Sequence, residues 1–84
     1  MVITKQYIGK YATPLGEVQY YLIQQDIKYG IELLEITNSN YVSTIEWVSE
    51  NKEDTLALTK LLCTQGALPI HLAELIDDYG AWYS

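Results

Sequence analysis

The sequence predicts an α+β fold: an antiparallel sheet of about four strands over residues 2–48, with two C-terminal helices, about residues 50–65 and 70–80, packed on one face. The first half is rich in β-branched and aromatic residues, and clusters of turn residues interrupt it at short intervals. The second half places its apolar residues at helical spacing instead. A chain of 84 residues with 49% hydrophobic and 19% charged residues fits one small domain, which we expect to span residues 1–84.

Three clusters of turn residues divide the first half into strands. The clusters are TPLGE at 13–17, DIKYG at 26–30 and TNSN at 37–40. The strands predicted between them are residues 2–11, 17–26, 29–36 and 41–48, and their short connections favour an antiparallel meander. In the third strand, the adjacent Leu33 and Leu34 break the alternation of apolar and polar residues, which predicts a bulge or a change of facing there.

The first helix has recognisable start and stop signals. Ser49 or Asn51 suits the N-cap, acidic residues follow in the first turn, and Gly66 suits the position just after the C-terminus. Its apolar stripe, which we expect to face the sheet, consists of Leu58, Leu61 and Leu62, with Ala57 alongside.

The second helix follows a proline. Pro69 suits a first helical turn, because its missing N–H has no partner to lose there. The apolar residues after it recur at helical spacing and predict a buried stripe of Leu72, Leu75, Ile76 and Tyr79.

The charge of the chain is acidic and uneven. The formal net charge is −6, and residues 32–84 hold nine of the eleven acidic residues against Lys52 and Lys60. The chain has no Arg, the side chain whose planar fork most often binds phosphate groups. We therefore expect no direct binding to nucleic acid or to an anionic membrane.

Cysteine content and hydropathy bear on the compartment. Cys63 is the single cysteine, so no disulfide can form within the chain. The start MVITKQYIGKY lacks the apolar run of a signal peptide, and no apolar run approaches the ~18 residues of a transmembrane helix. These features predict a cytoplasmic protein.

One group of residues raises the prospect of chemistry. In a helix, His71, Glu74 and Asp78 would lie on one face and could hold a divalent metal. A usable zinc or iron site generally needs three or four ligands, and no second histidine is present. The simpler interpretation is a solvated helix face, and we expect no metal and no cofactor.

A nucleophilic pair is the other chemical alternative. Cys63 and His71 would form one only if the two helices brought them together. Cys63 lies among leucines, where a free cysteine usually behaves as a small buried hydrophobic residue.

The aromatic residues suggest a surface. Eight Tyr and no Phe mean that each of these rings carries a hydroxyl that needs water or a partner. In the second strand Tyr20 shares a face with apolar residues, and Tyr21 lies on the opposite, mixed face. The alternatives are cross-strand packing and a recognition surface, since Tyr and Trp are enriched at interfaces. The predicted binding residues are Tyr20, Tyr21, Tyr29, Trp47 and Trp82.

Two segments carry a resemblance to a known family. YGIELLEI at 29–36 and LPIHLAELIDDY at 68–79, with the SENKEDTLALTKLL helix between them, resemble the small bacterial proteins called domain of unknown function 6514. The tail GAWYS departs from the usual charged ending of that family. The resemblance implies the same architecture and a bacterial cytoplasmic origin, and it brings no catalytic residue.

Two functions from different classes follow as expectations. The first is a non-catalytic protein-interaction or ligand-binding module that associates with itself and with another protein; its most specific form is a phage or mobile-element inhibitor of a host protein. The alternative is a small metal-dependent or hydrolytic enzyme that uses His71, Glu74 and Asp78.

Overall fold

A computed structural model describes the backbone of residues 2–83 and the side chains of residues 2–77. The chain forms four strands, β1 (Thr4–Thr13), β2 (Gly16–Gln25), β3 (Lys28–Thr37) and β4 (Tyr41–Ser49). The helix α1 (Lys52–Gln65), a single 3-10 turn (Pro69–His71) and the helix α2 (Leu72–Tyr83) follow. The predicted α+β fold is therefore confirmed.

The sheet is an antiparallel meander with the strands in sequence order, β1-β2-β3-β4. The predicted bulge at Leu33 and Leu34 is wrong, because β3 keeps its register with both neighbours through these residues. Register shifts occur instead at Ile8 in β1 and at Val48 in β4. Leu33 is buried on one face and Leu34 is half-buried on the other, so the sheet has apolar residues on both sides.

The main core lies between the sheet and the helices. It consists of buried residues from both layers: Val18, Tyr20, Ile31, Leu33, Leu58, Leu62, Ala67 and Leu72. Because side chains alternate across a strand, the residues between these positions in β2 and β3 lie on the opposite face of the sheet.

Helix α1 begins and ends as its sequence predicts. The Asn51 side chain accepts a hydrogen bond from the Asp54 N–H at 3.0 Å, which identifies Asn51 as the N-cap. Gly66 has φ 68° and ψ 38°, the left-handed conformation that glycine adopts without strain.

The buried face of α1 differs from the predicted stripe. Its buried residues are Thr55, Leu58, Thr59 and Leu62, whereas Leu61 is 44% exposed. Thr55 and Thr59 can be buried because each hydroxyl donates to the carbonyl four residues earlier, at 2.9 and 2.7 Å. The face is thus rotated away from Leu61 and from Ala57, which is also exposed.

The segment after α1 folds back over the sheet. Pro69 opens the 3-10 turn and is buried, and this turn contacts β3 and β4. In α2, Leu72 is fully buried, and Leu75 and Ile76 are partly buried against the core. The side chain of Tyr79, the fourth member of the predicted stripe, lies outside those that the structure describes. Within the described residues, none of the helices has the length and apolar character needed to cross a membrane.

Candidate interaction surface

The sheet face opposite the helices, which we call the open face, carries side chains from all four strands. Its members follow from the register, since cross-strand partners share a face. They are Lys5, Tyr7, Lys10 and Ala12 from β1, Glu17, Gln19, Tyr21, Ile23 and Gln25 from β2, Lys28, Gly30, Glu32, Leu34 and Ile36 from β3, and Tyr41, Ser43, Ile45 and Trp47 from β4.

Large apolar side chains on this face are exposed to solvent. Tyr7 is 52% exposed, Tyr41 75%, Ile45 40% and Trp47 38%. Proteins that function alone rarely expose a set of aromatic and aliphatic side chains on one surface. A partner that covered these side chains would remove them from water, which is favourable.

The open face also has a small packed centre. Ile23 is fully buried, although it points away from the helices and lies outside the main core. Its neighbour in β3 is Gly30, where an added Cβ would lie 2.9 Å from Trp47 Cε3 and 2.7 Å from the Glu46 carbonyl oxygen. The Trp47 indole therefore lies directly on Gly30, beside Ile23, and this packing orients it.

A buried carboxylate lies at the middle of the open face. Only 7% of Glu32 is exposed, and its Oε1 atom forms an ion pair with Lys5 Nζ at 2.7 Å. The other oxygen, Oε2, accepts a hydrogen bond from Ser43 Oγ at 2.8 Å. Oε1 has no further hydrogen-bond partner, so the Lys5 ammonium alone compensates that atom.

Polar contacts continue along β2. The ring of Tyr7 packs edge-on against that of Tyr21, with 5.6 Å between centroids and 68° between the planes. The Tyr21 hydroxyl donates to Gln19 Oε1 at 2.5 Å, and Gln19 Nε2 donates to Glu17 Oε2 at 2.7 Å. Glu17 also lies 3.8 Å from Lys10 Nζ. These contacts fix the directions of the polar groups between the aromatic rings.

The open face carries little net charge. It holds three lysines, Lys5, Lys10 and Lys28, and two acids, Glu17 and Glu32, and Lys5 and Lys10 are each paired with one of the acids. The chain has five lysines and eleven acids in all, so the two lysines and nine acids elsewhere leave a formal charge of −7 outside this face. The rest of the surface is acidic, and this face is the exception.

The structure places the predicted binding residues in different environments. Tyr21 and Trp47 lie on the open face. Tyr29 is half-buried on the helix side, where it lines a cavity of about 90 Å³ with Lys52 from α1. The side chain of Trp82 lies outside those that the structure describes.

Tyr20 is a core residue and not part of an accessible surface. It is fully buried, and its hydroxyl donates to the Ala67 carbonyl oxygen at 2.8 Å. Burial, and to a smaller extent the electrostatic influence of Cys63 and Tyr11, raises the pKa of the Tyr20 hydroxyl from 10.0 to about 12. The Tyr20 hydroxyl therefore has the hydrogen-bond partner that a tyrosine hydroxyl needs, and this partner lies inside the protein.

The open face contains exposed residues that were not among the predicted ones. Tyr7, Tyr41 and Ile45 join Tyr21 and Trp47 only through the register of neighbouring strands. The alternation of β4 placed Tyr41, Ile45 and Trp47 on one face, and this signal was available in the sequence. Whether helices would cover that face depends on the fold as a whole.

The chemical alternatives have little geometric support in the part of the chain that the structure describes. His71 Nδ1 and Glu74 Oε2 are 4.0 Å apart, and their side chains are 55% and 83% exposed. No group of three or more His, Cys, Asp or Glu residues within residues 2–77 could hold a metal ion, and the Asp78 side chain lies outside the described residues.

Cys63 lies against β1 and makes no described contact with His71. Its Sγ atom is 3.9 Å from the Lys10 carbonyl oxygen, and an added Cβ at Gly9 would lie 2.9 Å from it. Burial raises the pKa of the Cys63 thiol, which favours the unreactive protonated form.

A groove on the helix side is the largest of the described cavities. Its volume is about 410 Å³, and it lies between the β1–β2 turn and the loop after α1. Its lining is mostly apolar and has one carboxylate, from Glu35: Tyr11, Thr13, Pro14, Leu15, Glu35, Gly66 and Leu68.

Comparison with known proteins identifies one relationship. Residues 1–81 match a family of unknown function, DUF6514. No curated protein matches the chain. No solved structure matches it either.

Proposed function

The chain belongs to the DUF6514 family, and we propose that it is a non-catalytic protein-interaction module that self-associates and presents the open face of its sheet to another protein. The observation that carries this proposal is the combination found on the open face. Exposed aromatic and aliphatic side chains surround ion pairs that are already internally compensated, on a surface with little net charge.

The charge distribution indicates what kind of protein fits this face. A basic partner would be drawn to the acidic remainder of the surface, which holds nine of the eleven acids. A face with little net charge instead fits an apolar patch with little charge of its own. We propose a host protein with such a patch as the partner, in the bacterial cytoplasm, and inhibition of that protein by a phage or mobile-element product as the most specific form of the function.

The area of the open face limits how much surface a partner can bury on it. Four strands ~4.8 Å apart, each contributing roughly eight residues at ~3.3 Å, give a surface of about 500 Å². A partner that covered it would bury about 1,000 Å² in total, which is near the lower limit for a specific interface. We therefore propose reversible association rather than a permanent complex.

The alternative enzyme function would use His71, Glu74 and Asp78. No observation favours it, because the two described side chains of this group are mostly exposed and 4.0 Å apart. Exposed charged pairs of this kind are common on helix surfaces and have little influence on their own.

The test compares exposed residues on and off the open face. Tyr7→Ser and Tyr41→Ser remove exposed rings from the face, whereas Leu61→Ser and Ile70→Ser remove side chains of similar exposure, 44% and 76%, from the helical side. Circular dichroism confirms folding, and tagged protein is then used to capture partners from the native host. We expect the same captured protein with the wild type and both helix-side variants, and loss of it with both open-face variants.

The enzyme alternative is tested beside it with His71→Ala. Capture that depends on Leu61 or Ile70 and not on Tyr7 or Tyr41 would contradict the proposed surface. Loss of capture, or of a measurable activity, only in His71→Ala would move the functional site to the start of α2.

A further inference from the structure

The two edges of the sheet differ in how well they are protected. Edge strands expose unpaired backbone N–H and C=O groups, and proteins block unwanted pairing with lysines, prolines and bulges. β1 has Lys5 and Lys10 on either side of a bulge at Ile8. β4 has no lysine or proline, and its regular register runs from Tyr41 to Trp47.

The side chains of β4 are also unusually apolar for an outer strand. Tyr41 is 75% exposed, Val42 40%, Ile45 40% and Trp47 38%, and Glu46 is the single charged residue of the strand. Within the described residues, β3 is the only strand paired with β4, so the outer backbone groups of β4 have no strand beside them. The most exposed aromatic residue of the open face thus lies on the least protected edge.

We infer that two copies of the chain pair antiparallel through β4 and form one continuous eight-stranded sheet, an inference that rests on the self-association proposed above. A second copy is the occupant that this edge fits best. It supplies the same apolar strand with the same unpaired backbone groups, and neither copy brings a lysine or a proline that would interrupt the ladder.

The register of this pairing follows from the bulge. Val48 is the extra residue at which the regular pairing of β4 ends, so the longest regular segment is 41–47 and its midpoint is Thr44. Two copies overlap fully only if the two-fold axis passes beside Thr44. That register puts Tyr41 opposite Trp47 of the second copy, and Ser43 opposite Ile45 of the second copy.

Neighbouring registers are poorer matches. A two-fold axis beside Ile45 would put Tyr41 opposite Ser49 and Trp47 opposite Ser43, which gives up the aromatic pair. The Thr44 register also puts Glu46 opposite Val42 of the second copy, so that no two acids face each other across the pair. The aromatic pairing therefore selects the same register as the length of the strand.

This arrangement extends the open face. A two-fold axis perpendicular to the sheet keeps the helices of both copies on one side, and the two open faces become neighbours on the other. The partner-binding surface is then doubled in area, and the exposed Tyr41 ring is packed within it and no longer at a margin.

Cysteine cross-linking tests the register in the full chain. Cys63→Ser removes the native thiol, and Cys63→Ala replaces it if the serine variant does not fold. In that background, two copies of Thr44→Cys should form a disulfide between their residues at position 44. Directly opposed Cα atoms are ~4.5–5.5 Å apart, and disulfides need ~4.4–6.8 Å. Tyr41→Cys mixed with Trp47→Cys should also cross-link, whereas Tyr41→Cys alone should not.

Ile70→Cys, on the highly exposed Ile70, measures cross-linking by random collision. At micromolar protein, Thr44→Cys should cross-link roughly a hundredfold faster than Ile70→Cys, because pairing raises the effective concentration into the millimolar range. Tyr7→Cys reports on stacking of two open faces, and a rate like that of Thr44→Cys would overturn edge pairing.

The remaining outcomes separate this inference from the proposed function. A dimer by light scattering in which Thr44→Cys cross-links no faster than Ile70→Cys would overturn the β4 register and leave self-association standing. A monomer at every concentration would overturn self-association, while partner capture that still depended on Tyr7 and Tyr41 would leave the interaction surface intact.

Discussion

Lys5 reaches from the edge strand across β2 to place its ammonium 2.7 Å from the carboxylate of Glu32, a residue that is 7% exposed. The same ammonium lies 6.0 Å from the centre of the Tyr21 ring. The open face is thus held together by one charge pair that spans three strands. The two members of that pair are unequal, since the Lys5 side chain is 54% exposed and that of Glu32 only 9%.

This inequality predicts different effects for the two residues. Lys5→Met leaves a buried carboxylate without its cation and should lower the free energy of unfolding by about 1–3 kcal/mol, less than for a fully buried pair because water reaches this position. Glu32→Leu removes the charge that needs compensation and should change stability by less than about 1 kcal/mol. Urea denaturation of both variants measures the difference, and equal losses would mean that the ion pair itself stabilises the fold and that the cost of Lys5→Met does not come from an uncompensated carboxylate.

The Tyr20 hydroxyl gives a second prediction. Tyr20→Phe leaves the Ala67 carbonyl oxygen without its 2.8 Å donor in a buried place, which should cost about 1–3 kcal/mol. The folded-state pKa of about 12 lies above the ordinary value of 10.0, so folding favours the protonated phenol. Its contribution is complete below the unfolded-state pKa and is lost as the pH rises from about 10 toward about 12.

Denaturation at a series of alkaline pH values checks this dependence. The wild type should lose stability more steeply than Tyr20→Phe as the pH rises above about 10, because only in the wild type does residue 20 ionise in the unfolded chain while the folded state keeps it protonated. Parallel curves for the two proteins would show that Tyr20 is not the group responsible. Tyr41→Phe, which changes a ring that is 75% exposed, is the matched control.

The leucines of the helical layer give a third prediction. Leu72 is fully buried where α2 begins, so Leu72→Ala should lower the free energy of unfolding by about 2–4 kcal/mol. Leu61 has the same side chain but is 44% exposed on α1, and Leu61→Ala should cost less than about 1 kcal/mol. Thermal or urea denaturation of the two variants compares the same substitution at the two sites. A large loss at Leu61 would restore the buried stripe that the sequence indicated.

Leu61 also illustrates where sequence patterns reach their limit. Turns, caps and element types were predictable because Gly66 and Asn51 act locally, within a few residues of their own position. The buried face of α1 was not, since Thr55 and Thr59 count as polar in any hydropathy pattern. Their hydroxyls bond to the helix backbone and leave methyl groups to pack against the sheet.

The same limit applies to the open face. Alternation separated Tyr20 from Tyr21 correctly, but only the packed helices decide which of the two is buried. Leu33 next to Leu34 resembled a bulge, because a strand with one solvated face would not have apolar residues on both sides. The open face is itself partly apolar, with Ile23 fully buried on it, and therefore a regular strand accommodates both leucines.

The acidic net charge of the chain predicts how self-association depends on salt. Two copies that each carry −6 repel one another, while the β4 edge brings one acid per copy into the pairing. Added salt screens this repulsion, with a Debye length of ~30 Å at 0.01 M and ~8 Å at 0.15 M. The dimer should therefore tighten as sodium chloride rises over this range, measured by analytical ultracentrifugation. Glu53→Gln with Glu74→Gln, both exposed and outside β4, reduces the net charge from −6 to −4 and should strengthen the dimer most at low salt. A dimer that weakened as salt was added would instead be held by ion pairs between the copies, which would contradict an interface at the β4 edge, because that strand has no lysine.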